Sequence, residues 1–143
     1  GRIRANLFVS TTGTDADFIV KLIDVLPDST SSNGGNSQMA GFERMVRAEV
    51  FRGKFRKSFE EPQPFTPGRI EKVSFDLNEV AHTFKKGHRL MVQVQSSWFP
   101  IVDRNPQKFV KIPEANEDDF QKATIRIYHN AKNASNVILP ILK

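Results

Sequence analysis

The sequence predicts an all-β protein: an antiparallel two-sheet sandwich, with a jelly roll as the leading topology and one short helical turn. Three observations carry that prediction. Apolar residues repeat with a period of two along several segments, which lines one face of a strand and scatters around a helix. Roughly seven such segments are short and separated by turn-forming residues, with no repeated unit and no alternation of strand with long helix. The composition agrees, since twelve Phe stand against one Trp and one Tyr beside abundant Val and Ile, and branched and aromatic side chains suit a pleated, half-buried surface. With 143 residues, 38% of them hydrophobic, the chain has the size and apolar content of a single domain over 1–143.

Taken in order, Ile3, Ala5, Leu7 and Val9 alternate with polar neighbours and open the chain inside a strand. "TTGTDAD" supplies turn chemistry before "FIVKLIDVLP", a near-continuous apolar run read as a buried strand that Pro27 ends, because proline cannot extend the ladder. "DSTSSNGGNSQMAG" is small and polar, buries nothing, and is expected to be a mobile loop. "ERMVRAEVF" alternates again. The prolines of "EEPQPFTPG" then favour an extended crossing from one sheet to the other. "RIEKVSFDL" places Val73, Phe75 and Leu77 on one face.

In "NEVAHTFKKGH", Val80, Ala81 and Phe84 lie at helical spacing for about one turn. Gly87 follows as a left-handed stop, so a short helix or 3-10 turn is expected there. Leu90, Val92 and Val94 alternate along the next strand, and "QKATIRIYHN" and "VILPIL" supply two more.

Charge and composition narrow the function. Lys and Arg total 21 against 16 Asp and Glu, a formal charge of +5, but the basic residues are dispersed: Lys72, Arg89 and Arg126 alternate with apolar neighbours as on solvated strand faces. No nucleic-acid partner is expected from that pattern. The lack of cysteine excludes disulfides, thiolate zinc sites and cysteine nucleophiles. No apolar run approaches the roughly 20 residues that span a bilayer, so no membrane partner is expected, and the N-terminus has no signal-peptide profile. None of this decides the compartment.

"GHRLMVQVQSSWFPIVDRNP" holds His88, Ser96, Ser97 and Asp103 within twenty residues. On a strand, His88 and Ser96 face the same way but lie roughly 26 Å apart, too far for a shared hydrogen bond. The nearest approach to a nucleophile elbow, Gly35-Asn36-Ser37-Gln38-Met39, lacks the second glycine and lies in the polar loop. His82, His88 and His129 show no metal spacing and read as partly buried, hydrogen-bonded histidines. Asp15 and Asp17 offer two oxygens without the rest of a calcium loop and read as turn caps. No catalytic residue, metal site or cofactor site is therefore assigned. "SSWFPIVDRNP" is the most unusual segment: Trp98 and Phe99 precede a loop crowded with Asp103, Arg104 and Asn105. Two readings fit it, a packed loop closed by an internal Asp–Arg pair, or an interface anchored by aromatics and Arg.

At "TTGTDADFIVKLIDVLPD", "FRKSFEEPQPFTPGRIEKVSFDL", "HTFKKGHRLMVQVQSSWFPIVDRNP", "FQKATIRIYH" and "VILPIL", the chain resembles the C-terminal, non-catalytic domain of the cocaine esterase and X-Pro dipeptidyl-peptidase family of serine hydrolases. Within that family it is most similar to the α-amino acid ester hydrolases and glutaryl-7-aminocephalosporanic-acid acylases. The similarity runs over about 2–142. It implies a jelly roll of the galactose-binding type, incomplete on its N-terminal side, and a separate α/β-hydrolase catalytic domain in the same polypeptide carrying a Ser-His-Asp triad. None of those triad positions falls in this chain.

The resemblance implies an inert accessory domain of a hydrolase acting on esters, acyl amides or X-Pro dipeptides, one that holds the active-site mouth and makes domain or homo-oligomer contacts. The expected interface residues are Trp98, Phe99, Asp103, Arg104 and Asn105, with Asp15 and Asp17 as partners for Arg89 or Arg104. The rival readings are a free-standing jelly-roll module that binds carbohydrate and an enzyme with a self-contained site.

Overall fold

The structure, a computed structural model, describes residues 1–30 and 39–142. Its strands are β1 (Arg2–Thr11), β2 (Asp17–Val25), β3 (Glu43–Arg52), β4 (Glu71–Glu79), β5 (Arg89–Gln95), β6 (Ile125–Tyr128) and β7 (Asn136–Ile138). They form two antiparallel sheets, β3-β2-β5 and β4-β1-β6, with β7 also on β1. The all-β sandwich read from the sequence is the fold. β6 pairs with Phe8 to Thr11 and β7 with Arg4 to Asn6, so the two act as one strand interrupted by a short excursion that the His129–Ala134 bridge closes.

The core lies between the sheets. Ile3, Ala5, Leu7 and Val9 of β1 meet Phe18, Val20 and Leu22 of β2, with Phe51, Phe65, Val73, Phe75 and Leu77 completing it. Each Val, Leu, Ile or Phe among them contributes about 1.5–3 kcal/mol when fully buried. The apolar run of β2 has a second purpose: Ile19, Ile23 and Val25, on its other face, are buried as well. The proline-rich segment after β3 crosses between the sheets as expected, with Phe65 as its inward anchor. β4 carries an extra residue against β1 between the Arg2–Glu79 and Arg4–Asp76 pairs. Asn78, at φ 60°, takes up that bulge in the left-handed region that asparagine tolerates best after glycine.

Three expectations meet the structure differently. The helical turn predicted over Val80 to Phe84 does not form; among the described residues the helical turns are 3-10 segments at Gly53–Phe55, Ile112–Glu114 and Glu117–Asp119. Val80 and Phe84 both pack on the core, while His82 between them reaches Asp24, and one turn of helix would carry His82 to the opposite side. Gly87 does adopt φ +87°, in a turn closed by the His88 N–H donating to Lys85 O at 3.1 Å. Leu90, Val92 and Val94 alternate as predicted, in register with Asp24, Leu22 and Val20, yet Leu90 and Val92 are exposed and only Val94 packs on the core, because β5 is an edge strand. The central part of the polar loop, with Ser37, lies outside the described residues.

Candidate functional site

The irregular segment from 96 to 124 joins β5 to β6, and its first half rests on the turn between β1 and β2. Gln107 is the pivot. Its carbonyl accepts from the Thr14 N–H at 3.0 Å and from the Gln121 side-chain amide at 2.7 Å. Its backbone sits at φ 64°, a conformation non-glycine residues hold only when their surroundings enforce it. Here the Asn105 side-chain carbonyl accepts the Gln107 N–H at 2.8 Å. Gly13 lies so close that an added Cβ would stand 2.2 Å from Gln107 O. Farther along, the Phe109 N–H donates to Thr14 Oγ1 at 2.8 Å, and Lys54 Nζ donates to Val110 O at 3.0 Å.

Beneath this loop lie two buried carboxylates. Asp15 is fully buried; its Oδ1 accepts from the Ala16 N–H at 2.9 Å, and its Oδ2 has Lys54 Nζ at 3.8 Å but no hydrogen bond. Asp17 Oδ1 accepts from Asn105 Nδ2 at 2.8 Å, and its Oδ2 is 4.0 Å from Arg52. Burial disfavours the charged form of both. It pushes Asp15 upward, and it pushes Asp17 up to about 6 despite the Asn105 hydrogen bond and the Arg52 charge.

The residues expected at an interface therefore divide. Asp15, Asp17 and Asn105 are buried and brace the loop from inside; their partners are Lys54, Arg52 and each other, not Arg89 or Arg104. Arg89 is elsewhere, exposed opposite Val25 at the start of β5. The internal Asp103–Arg104 pair does not form, since Asp103 bonds Arg52 instead. Trp98 turns back over β2, where Lys21 Nζ lies 4.3 Å from its ring centroid. Phe99 and Arg104 are exposed, with the Arg104 guanidinium over both the Phe99 and Phe120 rings.

A second polar cluster gathers His82 and His88, which are partly buried and hydrogen-bonded as the sequence suggests, around an aspartate that the sequence reading does not single out. Asp24, buried at the far end of β2, accepts from His82 Nε2 at 2.9 Å and His88 Nδ1 at 2.7 Å. Burial alone would raise this carboxyl; the two imidazoles outweigh it and hold it below the ordinary carboxylate range. The signal was available: an aspartate inside an apolar strand needs a partner, and two of the three histidines flank the crossover that passes over it. Among the described residues, no serine hydroxyl hydrogen-bonds to an imidazole, and no group of three or more His, Cys, Asp or Glu side chains is arranged to hold a metal ion. An open cleft of about 550 Å³ at the other side of the sandwich is floored by Phe51, Phe55, Phe59 and Phe75.

The model of the X-Pro dipeptidyl-peptidase C-terminal non-catalytic domain matches residues 1–138. The chain is 34% identical over 143 residues to cocaine esterase of Rhodococcus sp. (strain MB1 Bresler), covering 100% of this chain and 23% of that protein. Its fold superposes on an α-amino acid ester hydrolase with a TM-score of 0.89 at 45% identity, covering 96% of this chain and 22% of that one. An aminopeptidase from a marine sediment archaeon, Thaumarchaeota archaeon, gives 0.88 at 43%, again over 96% of this chain and 22% of that one. The chain thus spans less than a quarter of the length of these relatives.

Proposed function

This chain belongs to the X-Pro dipeptidyl-peptidase C-terminal non-catalytic domain family, and from that premise we propose that it serves a serine hydrolase of esters, acyl amides or X-Pro dipeptides. The hydrolase's nucleophile, base and oxyanion donors sit in an α/β-hydrolase domain of the same polypeptide, where acyl transfer proceeds through a serine acyl-enzyme. This domain's contribution is positional. It packs against the catalytic domain and fixes the mouth of the active site, contributing precision of alignment and no reacting group.

One observation supports this reading above the others: the loop carrying Phe99, Ile101 and Arg104 is exposed at its surface while braced from below by the buried Asp17–Asn105 bond. A mobile loop pays ordering entropy on docking, whereas a loop already fixed by its own buried hydrogen bonds does not. Exposed aromatics on such a platform are what a partner surface buries. In the full-length hydrolase, Phe99→Asp is expected to lower ester turnover and to split thermal unfolding into two transitions as the domains uncouple. Wild-type turnover with a single unchanged transition would refute the docking role.

A further inference from the structure

Arg104 has no acidic partner and no hydrogen-bond acceptor among the described residues. Its sequence neighbour Asp103 is committed to Arg52. The guanidinium carbon instead lies 5.7 Å from the Phe99 ring centroid and 5.1 Å from that of Phe120. Around it the surface is apolar and uncovered: Phe99 is 65% exposed, Ile101 70% and Phe120 40%. A guanidinium carries five N–H donors in a planar fork, and two neighbouring rings restrict where that fork points.

We propose that Arg104 is the docking point for one carboxylate, an Asp or Glu side chain of the catalytic domain in the same polypeptide; this rests on the accessory-domain reading above. Three features select that occupant. The planar fork matches a carboxylate bidentately, and such charge-assisted pairs are roughly twice as strong as neutral ones. The surrounding Phe99, Ile101 and Phe120 become a water-excluding rim once a partner covers them, which strengthens a central charged pair. In the nearby acidic loop Asp119 is paired with Lys108 and Glu114 with Lys111, and the remaining Glu117 and Asp118 disfavour a polyanion more than a single carboxylate held in the arginine fork. More than three quarters of the relatives' length lies outside the region this chain covers. A carboxylate there meets Arg104 at the high effective concentration of an intramolecular contact.

The test is a high-resolution structure of the full-length protein together with hydrogen exchange on Arg104→Gln and Arg104→Lys. The expected result is a catalytic-domain carboxylate in hydrogen-bond contact with the Arg104 guanidinium. Amides flanking both partners should exchange about tenfold faster in Arg104→Gln, and Arg104→Lys should restore only part of the protection because an ammonium cannot form the fork. If the aromatic loop docks on the catalytic domain but Arg104 meets a main-chain carbonyl, solvent or a second copy of the chain, this inference is overturned and the accessory role stands. If the loop lies away from the rest of the polypeptide, both fall.

Discussion

Replacing Asp17 by Asn should stabilise the protein above neutral pH and leave it little changed in acid. In the folded state burial lifts the Asp17 carboxyl from its ordinary 3.8 to about 6. The folded protein therefore holds a proton that the unfolded chain has released between those values. Stability from this group is complete below about pH 4, declines as pH rises through about 6, and is gone above it. At about 1.4 kcal/mol for each pH unit between the two values, the loss is about 3 kcal/mol. Asparagine is the neutral isostere: its side-chain carbonyl can still accept from Asn105 Nδ2, as the Asp17 carboxyl does at 2.8 Å. What it gives up is a charge 4.0 Å from Arg52, a guanidinium already engaged by Asp103. Urea unfolding read through the single tryptophan, for both proteins at pH 4 and pH 8, isolates the term. The variant should be more stable by about 2–3 kcal/mol at pH 8 and within about 1 kcal/mol of the parent at pH 4. A variant that is weaker at pH 8 and keeps the parental pH slope would show that Arg52 and Asn105 fully compensate the buried charge, and the reasoning would fail.

Two further substitutions probe the frame. Asp24→Asn keeps one carbonyl acceptor but puts an NH2 donor in place of the other carboxylate oxygen, so one of the two imidazole contacts and the charge are lost together, at a cost of about 1–3 kcal/mol by chemical denaturation; because this carboxyl is held below its ordinary value, the variant should also lose the part of acid unfolding that occurs below about pH 4. An unchanged acid limb would rule the bis-imidazole contact out as a stability element. Gly13→Ala puts a Cβ 2.2 Å from Gln107 O. The turn must open, lowering the melting temperature by several degrees, on the order of 1–3 kcal/mol; a melting temperature within about 1 °C of the parent would show that the turn yields freely.

Period-two patterning made the strands legible because the sandwich core is built from one face of each. Ile3 to Val9 and Val73 to Leu77 are legible for that reason, whereas Phe18 to Val25 is legible as a continuous apolar run because both faces of β2 are buried. The helical turn was misread because spacing is a local signal, and over so few residues it weighs less than two aliphatic and aromatic anchors plus a buried hydrogen bond. The loop was recognisable as unusual from its composition, but its wiring was not. Adjacent Asp103 and Arg104 suggest a local pair, whereas Arg52 competes for Asp103 from the end of a distant strand that no pattern in the loop reveals. The family resemblance supplied what patterning could not, the separation of this fold from the chemistry of its relatives.

β2 explains why two long connections stay ordered on so small a sandwich. Its first residue, Asp17, holds the 96–124 connection through Asn105, and Asp24, one residue before its last, holds the β4–β5 crossover through His82 and His88. Both ends bury a carboxylate, yet the compensation differs. Asp24 receives two hydrogen bonds from imidazoles and is held low; Asp17 receives one from a neutral amide, with its nearest cation 4.0 Å away, and is pushed high. Between about pH 4 and pH 6 the crossover anchor at Asp24 stays ionised while the anchor under the aromatic loop stays largely protonated, and that second anchor becomes charged only as pH rises through about 6. The cost of raising the pH therefore falls on the end of β2 that carries Phe99 and Arg104, so a docked partner that further excludes water from Asp17 would shift its titration higher still.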